Sequence, residues 1–316
     1  MNSTDPYVHS FLASPKRLRK DESTVKPKPK PNAFIDKTFL FLQYTQNTIK
    51  TLKTIISVSG VLLGIYIIIS IGFYMCQNSL IFQRRSLAPE YVFKFDQSFE
   101  EYFITTEDHQ RLNALLFRSS SPSKGLILYF HGNANNLQRW GNYAIDFTSL
   151  GYDVLMTDYR GYGKSSGTPN ELDLYKDAAI IKEWADKNIP HNKLIIYGRS
   201  LGTAIASNLA VTAHPNLLIL ETPFDELKGA IYFPLKPMLY IFPLHYKFSN
   251  KTFLSKVSCK KIIIHGTNDW VVPLSSALEL KPLLSDNDQF IIIEDGGHKN
   301  LRDFKKYHET LKRVLE

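Results

Sequence analysis

Ser200, Asp269 and His298 are the residues of this 316-residue chain whose types and settings can do covalent chemistry. A serine hydroxyl becomes a good nucleophile only when a base takes its proton, and that base needs a carboxylate to hold its tautomer. Ser200 lies in Gly198-Arg199-Ser200-Leu201-Gly202, after the apolar run 193–197 and before the helix-compatible run 203–210. That setting is strand, sharp turn, helix. Glycines on either side let the turn close, and the serine oxygen then projects over the end of the sheet. Downstream, Lys260–Gly266 reads as a buried strand followed by the loop 267–273, which carries Asp269. Gln289–Glu294 reads as another strand, followed by Asp295-Gly296-Gly297-His298. Serine, acid and histidine thus follow in order, each just past a strand, with Asp269 as the orienting acid and His298 as the general base. Asp225, after the apolar run 217–220, is the competing acid, and its position reads better as a turn cap.

An acyl-transfer intermediate also needs preorganised donors for its oxyanion. The backbone N–H of Leu201 is one candidate. The loop after the apolar run 125–130 supplies the other, the backbone N–H of Asn133, with His131 ordering that loop. This chemistry requires no metal or organic cofactor, and nothing in the chain has the spacing of a zinc helix or a phosphate-cradling loop. The same residues suit a peptidase or an acyltransferase, and His298 with Asp303 spells the H-x4-D pattern of some acyl-transferring enzymes. A non-catalytic binding module is the remaining alternative. It has no need of a nucleophile, a base and an acid together.

His131-Gly132-Asn133-Ala134, the run 158–167 (Asp-Tyr-Arg-Gly-Tyr-Gly-Lys-Ser-Ser-Gly), the 198–202 turn, the run 265–273 and Gly296-Gly297-His298 occur in one order. In these segments the chain resembles the α/β-hydrolase family, and more narrowly its membrane-anchored serine hydrolases, over roughly residues 90–316. The resemblance implies the triad Ser200, Asp269 and His298. It also implies an α/β-hydrolase fold: a mainly parallel central sheet with helices on both faces and a small lid. In the resemblance the 158–163 segment is structural, and Thr203 replaces a glycine that many relatives carry after the turn.

The elements that must position these residues follow from patterning. From about residue 91 strands alternate with helices: an antiparallel leading pair near 101–105 and 112–117, then strands near 125–130, 152–158, 193–197, 217–221, 260–265 and 289–294. Leu174, Ala178, Ile181 and Trp184 share one helical face and belong to the core. Residues 222–259 interrupt the alternation with Phe224, Tyr232, Phe233, Pro234, Leu235, Pro237, Met238, Leu239, Tyr240 and Phe242. They read either as a lid-like insertion that favours an acyl or lipid-like small-molecule substrate or, equally well, as side chains that merely cover the sheet.

Charge and hydropathy complete the picture. The net charge of +8 is concentrated at the start, where residues 1–53 hold ten Lys and Arg against four Asp and Glu. The catalytic part therefore has no basic surplus for phosphates, which excludes nucleic acid as a partner. Ile55–Cys76 runs 22 residues without a charge, enough to span a bilayer as a signal anchor. The expected organisation is a basic, largely disordered tail over 1–54, the anchor over 55–76, a linker over 77–90 and the catalytic domain over 91–316. Basic residues flank the span equally, but the whole tail biases the N-terminus to the cytoplasm and the catalytic domain to the lumen or outside. Asn250-Lys251-Thr252 is then a potential glycosylation acceptor. Two cysteines, Cys76 and Cys259, make no disulfide framework.

Overall fold

Strands form where the β-branched and aromatic runs predicted them. The computed structural model describes residues 33–231, 236, 239 and 242–316. Within them the strands are β1 (Phe99–Thr105), β2 (Arg111–Phe117), β3 (Leu126–Phe130), β4 (Asp153–Thr157), β5 (Leu194–Arg199), β6 (Leu217–Glu221), β7 (Lys260–Gly266) and β8 (Gln289–Ile293). Among the described residues they make one sheet in the order β8-β7-β6-β5-β3-β4-β2-β1. The pairs from β4 through β8 are parallel, and β1–β2 and β2–β4 are antiparallel. Alternate side chains point to opposite faces of a strand. Accordingly Leu128, Ile196 and Leu218 join the buried cluster on one face, and Ile127, Ile195 and Ile219 join that on the other. A parallel sheet covered on both faces needs such continuous apolar strands.

The crossover helices follow their apolar faces. α2 (Glu171–Asn188) buries Leu174, Ala178 and Ile181, and its Trp184 ring packs on Tyr102 at 4.8 Å. α3 (Leu201–Ala213) starts at the serine turn, α4 (Asn250–Leu254) lies between β6 and β7, and α5 (Lys305–Leu315) closes the chain. Gly202 shows how tightly α3 meets the sheet, because a Cβ there would lie 2.1 Å from the Phe130 carbonyl oxygen and 2.7 Å from that of His131. Gly202→Ala is expected to cost about 1–3 kcal/mol, a fall in Tm of roughly 2–10 °C for a domain of this size, measurable by thermal denaturation.

The N-terminal helix α1 (Ala33–Ile81) is longer than the 55–76 span at both ends. It is long and apolar enough to cross a membrane by length and composition. Residues 36–54, expected in a largely disordered tail, are helical. The hydroxyls of Thr45, Thr48, Thr51 and Thr54 donate to carbonyls three or four residues earlier. Those polar groups are thereby satisfied within the helix itself. Up to Gly64 the chain forms one unit and from Ile65 onward a second.

The expected linker over 77–90 is also corrected. Helix continues to Ile81, Gln77, Ile81 and Phe82 are buried, and Gln83–Arg84 pairs in parallel with Ala134–Asn135. These groups find partners distant in sequence, which no local pattern announces. The lysine–proline run 26–31 and, of the expected lid, Tyr232, Phe233, Pro234, Leu235, Pro237, Met238 and Tyr240 lie outside the described residues. Phe224, expected in the lid, is instead a core residue, 2% exposed.

Asn250 is fully buried, with its side chain donating to Thr203 Oγ1 and the Phe224 carbonyl (2.9 Å each) and accepting from Ser207 Oγ at 2.7 Å. The glycosylation reading is therefore corrected, since a glycan would have to displace all three bonds and the packing around them. Wild-type protein from a glycosylating host is expected to show no glycosidase-sensitive shift from this site. Asn250→Ala should lower stability by about 1–3 kcal/mol, because buried partners lose their hydrogen bonds.

Candidate active site

Parallel strands put the loops that follow β3, β5, β6, β7 and β8 at one edge of the sheet. Ligand sites of open α/β sheets form at this C-terminal edge. The chain passes from Arg199 at the end of β5 directly into α3, and Ser200 takes up the bend with φ +52° and ψ −117°. A non-glycine residue in that region stores about 1–3 kcal/mol of strain. Strong tethers hold it: the Ser200 N–H donates to the Glu221 carbonyl at 2.9 Å, and its carbonyl accepts from Thr203 N–H at 2.9 Å and from Thr203 Oγ1. Thr203, the departure from glycine at this position, thus braces the turn and is itself bonded by Asn250.

The loops after β7 and β8 are stitched together by backbone. Asn268 N–H donates to the Gly296 carbonyl at 2.8 Å, and Thr267 N–H to the Ile293 carbonyl at 3.1 Å. A Cβ on Gly266 would stand 2.1 Å from the Gly296 oxygen, so this contact demands glycine. The result brings the three predicted residues into one relay. His298 Nε2 is 3.0 Å from Ser200 Oγ, and His298 Nδ1 is 2.8 Å from Asp269 Oδ2. The other carboxylate oxygen of Asp269 accepts from Val271 N–H (2.9 Å) and Val272 N–H (2.8 Å). Burial pushes the Asp269 carboxyl up, but the bonds and charge from His298 and the Val272 N–H outweigh it and hold it below its ordinary value.

The other predicted positions divide. Leu201 is the first residue of α3, and its N–H is one of the donors a helix start leaves free. Asn133 is brought close through Gly132, where a Cβ would lie 3.6 Å from that of Ser200. Neither the Asn133 nor the Leu201 backbone N–H has an acceptor among the described residues. The 158–163 segment clamps this loop: Tyr159 Oη donates to the His131 carbonyl (2.6 Å) and Tyr162 Oη to that of Asn133 (2.8 Å). His131 is fully buried, 3.3 Å from Asp158, and stacks on Trp140, away from the relay. Asp225 bonds Ser276 Oγ at 2.6 Å and takes no part, and Asp303 is exposed.

Two supporting groups carried no sequence signal of their role. Arg199, 2% exposed, donates to the His298 carbonyl at 2.9 Å and faces Glu221 at 3.3 Å, with the Tyr143 ring 4.7 Å from its guanidinium. Burial alone would lower the Arg199 pKa; the Glu221 carboxylate reverses that and holds the guanidinium firmly charged. His265 is buried 3.9 Å from Asp269, and burial lowers its pKa, favouring the neutral ring. Beside Asp269 opens a cleft of about 500 Å³ lined by Ala230, Ile231, Trp270, Val271 and Leu274, with Trp270 90% exposed.

Comparison with known proteins gives this geometry a context. The family described as serine aminopeptidase, S33 matches residues 121–252. The chain is 32% identical over 219 residues to α/β-hydrolase domain-containing protein 17B of Xenopus tropicalis, covering 68% of this chain and 75% of that one. It is 33% identical over 192 residues to lysophosphatidylserine lipase ABHD12 of Mus musculus, covering 54% of this chain and 48% of the lipase. The chain thus spans about half of that lipase. An esterase of Pyrococcus furiosus shares the fold with a TM-score of 0.57 at 17% identity, over 73% of this chain and 97% of the esterase.

Proposed function

The chain belongs to the α/β-hydrolase domain-containing proteins and is a serine hydrolase, and on that footing we propose that it cleaves acyl esters or thioesters of lipid-like molecules at a membrane. The single observation that carries the reading is the unbroken relay from Ser200 Oγ through His298 to Asp269. His298 takes the Ser200 proton as Oγ attacks the acyl carbonyl, and Asp269 holds Nδ1 protonated so that Nε2 is free to act. Negative charge then gathers on the carbonyl oxygen, where the N–H groups of Leu201 and Asn133 receive it. His298 passes its proton to the leaving group, and water repeats the sequence on the acyl-enzyme.

The apolar cleft beside Asp269 and the name of the lysophosphatidylserine lipase relative support an acyl chain on the substrate. The charge-free stretch 55–76 within α1 supports a single-pass anchor, and the basic tail supports a cytoplasmic N-terminus with the hydrolase domain opposite. The matched family's name favours one second reading, an aminopeptidase, for which the same nucleophile would attack an amide.

The test is a fluorophosphonate probe applied to membranes bearing the wild-type chain, with competition by lysophospholipids, short acyl esters and aminoacyl amides. Labelling of Ser200 blocked by lysophospholipid supports the reading. Protection by aminoacyl amides alone would favour the peptidase, and folded protein that takes no label would overturn the mechanism.

A further inference from the structure

Gln77 is fully buried on a helix whose apolar residues nearby are exposed, Ile68 at 70% and Met75 at 76%. Its amide is satisfied on both sides by one stretch of backbone: Nε2 donates to the Pro243 carbonyl at 3.1 Å, and Oε1 accepts from His245 N–H at 2.7 Å. A buried amide without such partners would be strongly destabilising, so this clasp has a defined geometry. Around it, the Tyr74 ring meets His245 edge-on at 4.4 Å and Phe242 at 5.4 Å, Asn78 accepts from the Tyr246 hydroxyl, and Phe82 packs on Tyr246 at 5.3 Å. At the last helical residue the Ile81 carbonyl accepts from Asn133 Nδ2 at 3.0 Å.

One helix end therefore grips two loops of the C-terminal sheet edge: the strap 242–248 after β6 and the loop after β3 that holds the oxyanion candidate. A tether would join the domain through slack chain, and here there is none. Ile81 lies five residues past Cys76, about 8 Å of helix rise. The headgroup layer on each side of a bilayer is of similar depth, about 5–8 Å. With the hydrocarbon edge at Cys76, the Asn133 loop would stand near the outer face of that layer, and the strap, which meets Tyr74, Gln77 and Asn78, would lie within it.

We propose that the end of α1 is a wall of the active site, with Gln77 as the positioning residue that seats the strap 242–248 on the bilayer surface so that acyl esters enter from the membrane. The proposal rests on the anchored ester hydrolase reading and adds the route by which substrate arrives. Its committed partner is the lipid bilayer. The exposed apolar residues of α1 between Ile65 and Leu80, among them Ile68, Ile71 and Met75, are what such a partner would cover.

The test uses the full chain in phosphatidylcholine vesicles with two esters of one reporter: 4-methylumbelliferyl oleate in the bilayer and 4-methylumbelliferyl butyrate in water. Gln77→Leu is expected to lower the oleate-to-butyrate ratio of kcat/KM by roughly ten- to a hundred-fold, the scale of a misplaced positioning element. A merely structural role would lower both rates together, and an unchanged ratio overturns the proposal. Placement is read separately, without turnover. In a chain with Cys76→Ser and Cys259→Ser, a bimane fluorophore goes on Lys247→Cys in the strap or on Lys124→Cys at the opposite sheet edge. Quenching by headgroup-spin-labelled lipid at 247 and not at 124 supports the seat, and equal or absent quenching at both overturns it. If wild type cleaves neither ester and takes no fluorophosphonate, the hydrolase reading fails, while the quenching pattern still decides where the strap sits.

Discussion

Ser200→Ala is expected to lower kcat/KM for an acyl ester by roughly 10⁴- to 10⁶-fold and leave the fold intact. The substitution removes one oxygen, the atom 3.0 Å from His298 Nε2, and no other group stands at that point of the relay. Without it no acyl-enzyme can form, so the remaining rate is what the oxyanion donors and substrate binding provide to water. Stability should be nearly unaffected. The strained backbone at φ +52° is held by the bonds to Glu221 and Thr203, which use main-chain atoms of residue 200 that alanine also has. The check is a rate measurement beside a thermal melt. A large fall in rate with a large fall in Tm would mean that the serine was structural, and an unchanged rate would remove it from the mechanism.

Asp269→Asn should cost about 10⁴-fold in kcat, with little change in KM. An asparagine can still accept from Val271 and Val272, so the loop keeps its shape. Its amide nitrogen, however, would face His298 Nδ1 and favour the tautomer with the proton on Nε2, which cannot accept from Ser200. The wild-type pH dependence follows from the same carboxyl. Its pKa is depressed in the folded chain, so the stability it confers is present above the unfolded value, about 3.9, and is lost as pH falls through the lower folded value. Activity lost between neutrality and that range must therefore come from another group, and Asp269 protonation adds its effect only below it. A kcat–pH profile of the wild type, run beside the melt, separates the two.

Much of this was readable one residue at a time. The β-branched runs of the sheet, the bracketing glycines at Ser200, and Asp269 and His298 just past consecutive strands depend on local pattern, because strand period and turn chemistry act over a few residues. The same holds for the 22 charge-free residues of 55–76, whose length alone matches a bilayer. Other readings failed for one shared reason. Asn250 sits in a sequon, yet its side chain is consumed by Thr203, Ser207 and Phe224, which are remote in sequence. Residues 77–90 look like a linker, yet Gln77 and Ile81 meet partners up to 168 positions away.

By itself, then, the sequence determined where the strands form, the candidates for nucleophile, acid and base with their order along the chain, and the presence of an apolar segment long enough to span a membrane. Each is a consequence of covalent geometry or of solvation acting on neighbouring residues. Only the tertiary structure decided that Arg199 would hold the His298 backbone, that two tyrosines would clamp the Asn133 loop, and that the helix end would close on the strap and the Asn133 loop together. Those arrangements depend on which buried polar groups meet across the sheet edge. A buried amide or guanidinium must find a partner, but nothing local in the chain says which one.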